Sequence, residues 1–220
     1  MTRSVEEWID GVSKVDWNGN LRSLPQCDTL VRRLIGSGML RRLLNQVSGE
    51  PRLVRLCEQL QGLKKIVLID DKCRDIRLRL HLFENYEFDV AHNHKWSFHS
   101  TILSGRYLQS LHGEVRDDMS ALDIQSMSVV TATEYRTLDS YFLRHSMVHS
   151  LRAEPHTVTL VIRGPIMRAQ SLWRDLKNSK AWVHKGDATD TLKRPLTEEE
   201  AITTVECIRQ RIAHILEDSR

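Results

Sequence analysis

Cysteine is scarce and scattered. Cys27, Cys57, Cys73 and Cys207 are the four in 220 residues, and they form neither a C-x-x-C pair nor a dense framework. That excludes a paired-cysteine zinc finger and a disulfide-stapled fold, and it predicts reduced thiols in a cytoplasmic setting. Charge of one sign is lacking too: 32 Lys and Arg against 29 Asp and Glu leave +3. The cations are spread along the chain rather than striped on one face, so no nucleic-acid partner is expected. No apolar run approaches the roughly 20 residues that cross a bilayer. The start, Met1-Thr2-Arg3-Ser4-Val5-Glu6-Glu7, has no apolar signal-peptide core, and no membrane partner is expected. HExxH, GxSxG and the P-loop are missing as well. Gly36-x-Gly38 lacks the third glycine and the strand–turn–helix setting of a nucleotide loop.

What is there divides into three regions. Residues 1–63 read as a helical segment packed on something larger. Ser4-Val5-Glu6-Glu7 has the Ser-x-x-Glu pattern of a capping box, followed by apolar Trp8, Ile9, Val12 and Val15. Leu30, Val31 and Leu34 continue the helical spacing, and Gly36-Ser37-Gly38 interrupts it before Leu40, Leu43 and Leu44. Pro51 is placed as a first-turn proline, and Leu53, Leu56, Cys57 and Leu60 keep helical spacing after it. Residues 191–220 read as a C-terminal helix from Arg194 onward. Thr197 is the predicted cap, and Ile202, Val205, Ile208, Ile212 and Ile215 form the predicted buried stripe.

Residues 64–190 read as strands. Ile76, Leu78, Leu80 and Leu82 alternate with Arg77, Arg79, His81 and Phe83, which predicts a strand with two unlike faces. Val129, Val130, Phe142, Leu143 and Thr157 to Ile162 supply further β-forming runs, with turn signals at Ser104-Gly105, His112-Gly113 and Gly164-Pro165. Many short strands without interleaved amphipathic helices predict a mainly β sandwich or barrel.

The chemistry points to His92-Asn93-His94. Side chains alternate along a strand, so two histidines one residue apart lie on one face, as a shared metal ion requires. Phe88, Val90, His92, His94, Trp96 and Phe98 share one parity, the apolar stripe that should face the barrel interior. His149, in a distant strand-like run, is a third candidate ligand.

These residues resemble the cupin superfamily. His92-x-His94, three residues, Phe98, six residues and Gly105 look like its first motif, in which a glutamate usually stands where Phe98 does. Arg144-His145-Ser146-Met147-Val148-His149 is similar to the second motif, with Arg144 and Ser146 in place of its proline and glycine. The likeness spans residues 76–166. It implies a cupin-type double-stranded β-helix (jelly-roll) barrel and a three-histidine site of His92, His94 and His149, as in cysteine-dioxygenase-like cupins. The four-residue spacing variant would make His99 a fourth ligand, and that alternative stays open.

Three neutral imidazoles leave positions open on one side of a divalent ion, which suits Fe(II) with a small-molecule substrate and O2. Zn, Ni or Mn would suit lyase or isomerase chemistry. The leading expectation is therefore a non-haem dioxygenase or oxidase of a small polar molecule such as an amino-acid derivative. A non-catalytic binding, sensory or scaffold role is the reading from another class, and a homodimer is a further expectation. Arg79 and His81 point into the barrel if the leucines of their strand pack on the helices; otherwise they form a solvated face. Arg79 could then hold a carboxylate. Tyr107 and Tyr141 are candidate pocket walls or hydrogen-bond donors, and His145 is either near the ligands or in a solvated turn.

Overall fold

The computed structural model describes residues 3–84, 86–185 and 193–217, with the side chains of 86–89 left aside. Phe88 of the apolar stripe, as a side chain, and the expected boundary between residues 190 and 191 lie outside the described residues.

The N-terminal stripes become α1 (Arg3–Ser13), α2 (Ser23–Gly36), α3 (Met39–Gln46) and the single turn α4 (Pro51–Val54). Trp8, Ile9 and Val12 of α1 are fully buried, as their spacing predicts. Gly38 stops the run between α2 and α3 with a φ of 65°, a left-handed conformation that glycine adopts without strain. Pro51 opens α4, where its missing N–H costs nothing.

Beyond α4 the helical expectation fails. Leu60 belongs to β1 (Glu58–Leu60), which forms a hairpin with β2 (Leu63–Asp71). The turn between them is Gln61-Gly62, with φ of 37° and 79°; positive φ at both positions is what a tight two-residue hairpin demands.

The chain then runs through β3 (Ile76–Phe83), β4 (Tyr86–His92), β5 (Trp96–Ser104) and β6 (Arg106–Glu114). It continues as β7 (Thr131–Arg136), β8 (Ser140–Leu143), β9 (Met147–Ala153) and β10 (Val158–Ile166). These eight strands divide between two antiparallel sheets, in the orders β3-β10-β5-β8 and β4-β9-β6-β7, and every step along the chain except β6 to β7 crosses from one sheet to the other. That interleaving is the double Greek key of a jelly roll, the cupin-type double-stranded β-helix barrel expected. β1 and β2 extend the first sheet, ending in β13 (Lys193–Pro195), while β11 (Ser171–Asp175) and β12 (Ala181–His184) extend the second.

The C-terminal helix begins later than expected, because Lys193–Pro195 pairs with β1. Thr197 does cap α5 (Glu198–Arg211), in a reciprocal capping box with Glu200. A short α6 (Ala213–Glu217) follows after a break at Ile212. Val205, Ile208, Ile212 and Ile215 are buried, but Ile202 is exposed.

Leu78, Leu80 and Leu82 of β3 and Val158, Leu160 and Ile162 of β10 form one core with the helices. Each such leucine contributes roughly 1.5–3 kcal/mol by leaving water. The opposite parity of both strands is thereby turned into the barrel. Two turn signals read differently in three dimensions. Gly113 marks a bulge within β6, beside His149 of β9. Gly164-Pro165 lies inside β10, where the Trp17 indole comes within 2.2 Å of the point a Cβ on Gly164 would occupy. Val129 and Val130 are exposed and precede β7 rather than forming a strand of their own. Among the described residues no helix is long and apolar enough to cross a membrane.

Candidate metal centre

His92 is the last residue of β4 and stands directly opposite His149 of β9. His94 lies in the connection to β5, so the histidine pair spans the step from one sheet to the other instead of sharing one strand. Asn93 makes that step possible. Its backbone N–H donates to the Leu172 carbonyl, its Oδ1 accepts from Leu172 N–H at 2.6 Å, and its Nδ2 donates to the His145 carbonyl at 3.1 Å. With Asn93 tied down on one side, both flanking imidazoles turn to the other.

The structure brings His92, His94 and His149 together, with one ring nitrogen of each within 4.8 Å of the others. Nε2 of His94 and Nε2 of His149 are 2.8 Å apart. Nitrogens bonded to one metal at about 2.1 Å in adjacent positions lie about 3 Å apart, so the donor set fits a divalent ion. Burial pushes the His92 imidazole down to about 4 and those of His94 and His149 well below the usual histidine value. All three are therefore neutral near pH 7, each with a lone pair to give.

Outer contacts orient the rings. The Val90 carbonyl lies 3.3 Å from Nδ1 of His92, and the Gln109 amide lies 3.0 Å from Nδ1 of His149. The Trp173 ring packs on His92 and Phe98 on His94, each with centroids 4.8 Å apart. Phe98 is thus an apolar wall beside the histidines.

His99 is not a ligand in this arrangement. Its side chain has the outward parity of β5, and Nε2 sits 2.9 Å from Oδ1 of Asp28 on α2. His145 lies in the turn between β8 and β9, with Nδ1 3.4 Å from Ser97 Oγ, and it does not line the cavity.

The three histidines open onto a cavity of about 280 Å³. Arg79 and His81 both line it, because the leucines of β3 pack on the helices. Tyr107 and Tyr141 line it as well, and Tyr107 donates to the Tyr141 hydroxyl at 2.6 Å. Burial raises both phenols above their ordinary range, which keeps them protonated donors.

Four lining or supporting residues had escaped the sequence reading. Glu58 and Lys65 pair at 3.1 Å in the wall. Burial alone would raise the Glu58 carboxyl, but the cations of Lys65, Arg79 and Lys193 hold it down at about 2. Trp173 reaches the site through the pairing of β11 with β4. Gln109 shares the inward parity of Tyr107 and Leu111, a signal that was present in the sequence.

No family model matches the chain, and no curated protein matches it. Among solved structures, the chain is similar to KdgF from Halomonas sp., at 15% identity over 48% of this chain and 82% of that one, with a TM-score of 0.35. It is similar to an RmlC-like cupin from Shewanella frigidimarina NCIMB 400, at 16% identity over 50% and 82%, TM-score 0.36. Hydroxypropylphosphonic acid epoxidase from S. wedmorenis matches at 13% identity over 47% and 51%, TM-score 0.35.

Proposed function

We propose that this chain is a metal-dependent enzyme of the cupin kind, a non-haem iron dioxygenase or oxidase of a small polar molecule such as an amino-acid derivative. The observation that carries the reading is the convergence of three neutral imidazoles, those of His92 and His149 buried and that of His94 half-buried, at one cavity. His92, His94 and His149 would hold the ion. A divalent metal there supplies Lewis acidity, and iron(II) in addition supplies oxygen activation.

The chain's own residues do the rest. The three histidines serve as fixed neutral donors and pass no protons. Phe98 and Trp173 pack against the ligand rings and keep water off them. Tyr141, which accepts a hydrogen bond from Tyr107, has its own hydroxyl hydrogen to donate.

The protein is purified without added metal for elemental analysis, then reconstituted anaerobically with iron(II) and offered amino acids and thiols in an oxygen electrode. Iron-dependent oxygen uptake with one of these substrates is expected. Turnover with zinc and no oxygen consumption would instead establish a lyase or isomerase, which the all-nitrogen donor set suits equally. Failure to retain any transition metal in stoichiometric amount would refute both.

A further inference from the structure

The cavity is lined by more cations than carboxylates, and one of those cations, Arg79, makes no direct contact with an acid. Arg77 pairs with Asp70 at 2.6 Å, Arg163 pairs with Asp75, and Lys65 pairs with Glu58 at 3.1 Å. Lys193 lies 4.0 Å from the same Glu58, and the half-exposed Lys95 donates to the Lys185 carbonyl.

Arg79 lies in the field of that same Glu58 but makes no contact ion pair with it. Among the described residues its guanidinium makes no hydrogen bond and no ion pair, and its Nε is buried without a partner. The residue is only 8% exposed and lines the cavity. What it meets is Trp96, whose ring centre is 5.9 Å from the Arg79 guanidinium carbon and 4.9 Å from that of Arg163. Two residues along β3, on the same face, His81 has a buried Nε2 that is also without a partner.

A buried guanidinium with no hydrogen-bond acceptor is unfavourable to the folded state. A fold sustains one where the missing partner arrives with a ligand. We infer that the cavity recognises a small molecule through a carboxylate group, with Arg79 as its ion-pair partner and His81 as a second hydrogen-bonding contact.

The chemistry favours a carboxylate over a phosphate group on two grounds. Of the cations lining the cavity, Arg79 is the one whose N–H groups have no acceptor among the described residues, so one singly charged group satisfies it, whereas a phosphate group brings about −1.5 to −2 at neutral pH. The cavity also has an apolar side, with Phe83, Phe98 and Val161, which favours the group that costs less to take out of water. At about 280 Å³ the cavity is just below the low end, roughly 300 Å³, of the range for ligand pockets, so the molecule is small.

The inference rests on reading this cavity as the substrate site, but it can be tested without metal. Acetate, succinate and benzoate are titrated calorimetrically into metal-free protein beside their neutral amides, with inorganic phosphate as a further arm. At least one carboxylate is expected to bind about tenfold or more tightly than its amide, a preference worth one charge-assisted contact. Arg79→Met should abolish that preference while leaving the unfolding temperature unchanged or raised, since a buried guanidinium without a hydrogen-bond acceptor is removed and Glu58 keeps Lys65 and Lys193. A structural role for Arg79 would lower it.

Equal binding of every acid and its amide, or no binding of any acid, would overturn the inference in the parent protein, with no variant needed. A preference that survives Arg79→Met would overturn the assignment to Arg79. Tighter binding of phosphate would overturn the choice of carboxylate. A carboxylate preference in a protein that retains no metal would refute the metal reading alone.

Discussion

The side-chain amide of Gln109 meets Nδ1 of His149 at 3.0 Å, on the side of the ring away from His94. A histidine that binds a metal through Nε2 keeps its proton on Nδ1 and gives it to an acceptor; Gln109 has its Nε2 toward the ring here, and turning the amide over presents Oε1 in its place. Gln109→Leu should therefore weaken metal binding about 10- to 100-fold. Gln109→Glu, which restores an acceptor, should keep it. Competition against a chromophoric chelator measures both; identical affinities in all three proteins would leave Gln109 no part in ligation.

His99 and His149 should separate cleanly. His149→Ala should abolish metal retention. His99→Ala should leave it intact and instead weaken the fold, because His99 and Ser140 both bond Asp28 and so fasten α2 to the barrel. Loss of the histidine from that buried contact should cost about 1–3 kcal/mol in urea unfolding. Metal loss in the His99 variant would return it to the ligand set.

Acid should destabilise the metal-free protein, in part through His81. Burial holds its imidazole well below the usual 6.5. Between its folded and unfolded values the unfolded chain binds the proton and the folded chain does not, so stability falls as pH falls. The contribution is intact above about pH 6.5 and is lost progressively below it. Unfolding temperatures measured from pH 7.5 down to 5 should decline, and His81→Leu should make the decline shallower. An unchanged slope would mean that His81 titrates alike in both states.

Gly164→Ala should be destabilising although it sits in a strand, where alanine is ordinarily tolerated. The added methyl would fall 2.2 Å from the Trp17 ring, and forcing that contact apart costs about 1–3 kcal/mol. Shifted indole fluorescence together with a lower denaturation midpoint is the expected result. An unperturbed midpoint would show that Trp17 moves aside without cost.

Most of what places the site was legible because a barrel rewards alternation. Leu78, Leu80 and Leu82 declared one face of β3, and that alone turned Arg79 and His81 inward once helices covered the leucines. The same parity put Phe98 inside and His99 outside. What escaped notice depends on pairings between distant segments. Leu60 kept a helical spacing with Leu56 and Cys57, and only its partnership with residues 63 and 193 makes it a strand. Trp173 reaches His92 across β11 and β4, a contact that no local pattern announces. Ile202 shows the converse limit. It stands three residues before Val205, yet the buried face at that end of α5 runs through Ala201 and Thr204, so Ile202 turns outward and stays exposed.

The step at Asn93 has a mechanical consequence. His92 ends a strand of one sheet and His94 leads into a strand of the other, so an ion held by both is a rivet through the seam of the barrel. Sliding one sheet past the other would pull the two imidazoles apart. Loading the centre would thus clamp the two sheets at this edge, and the sheets in turn set how wide a grip the ion must accept.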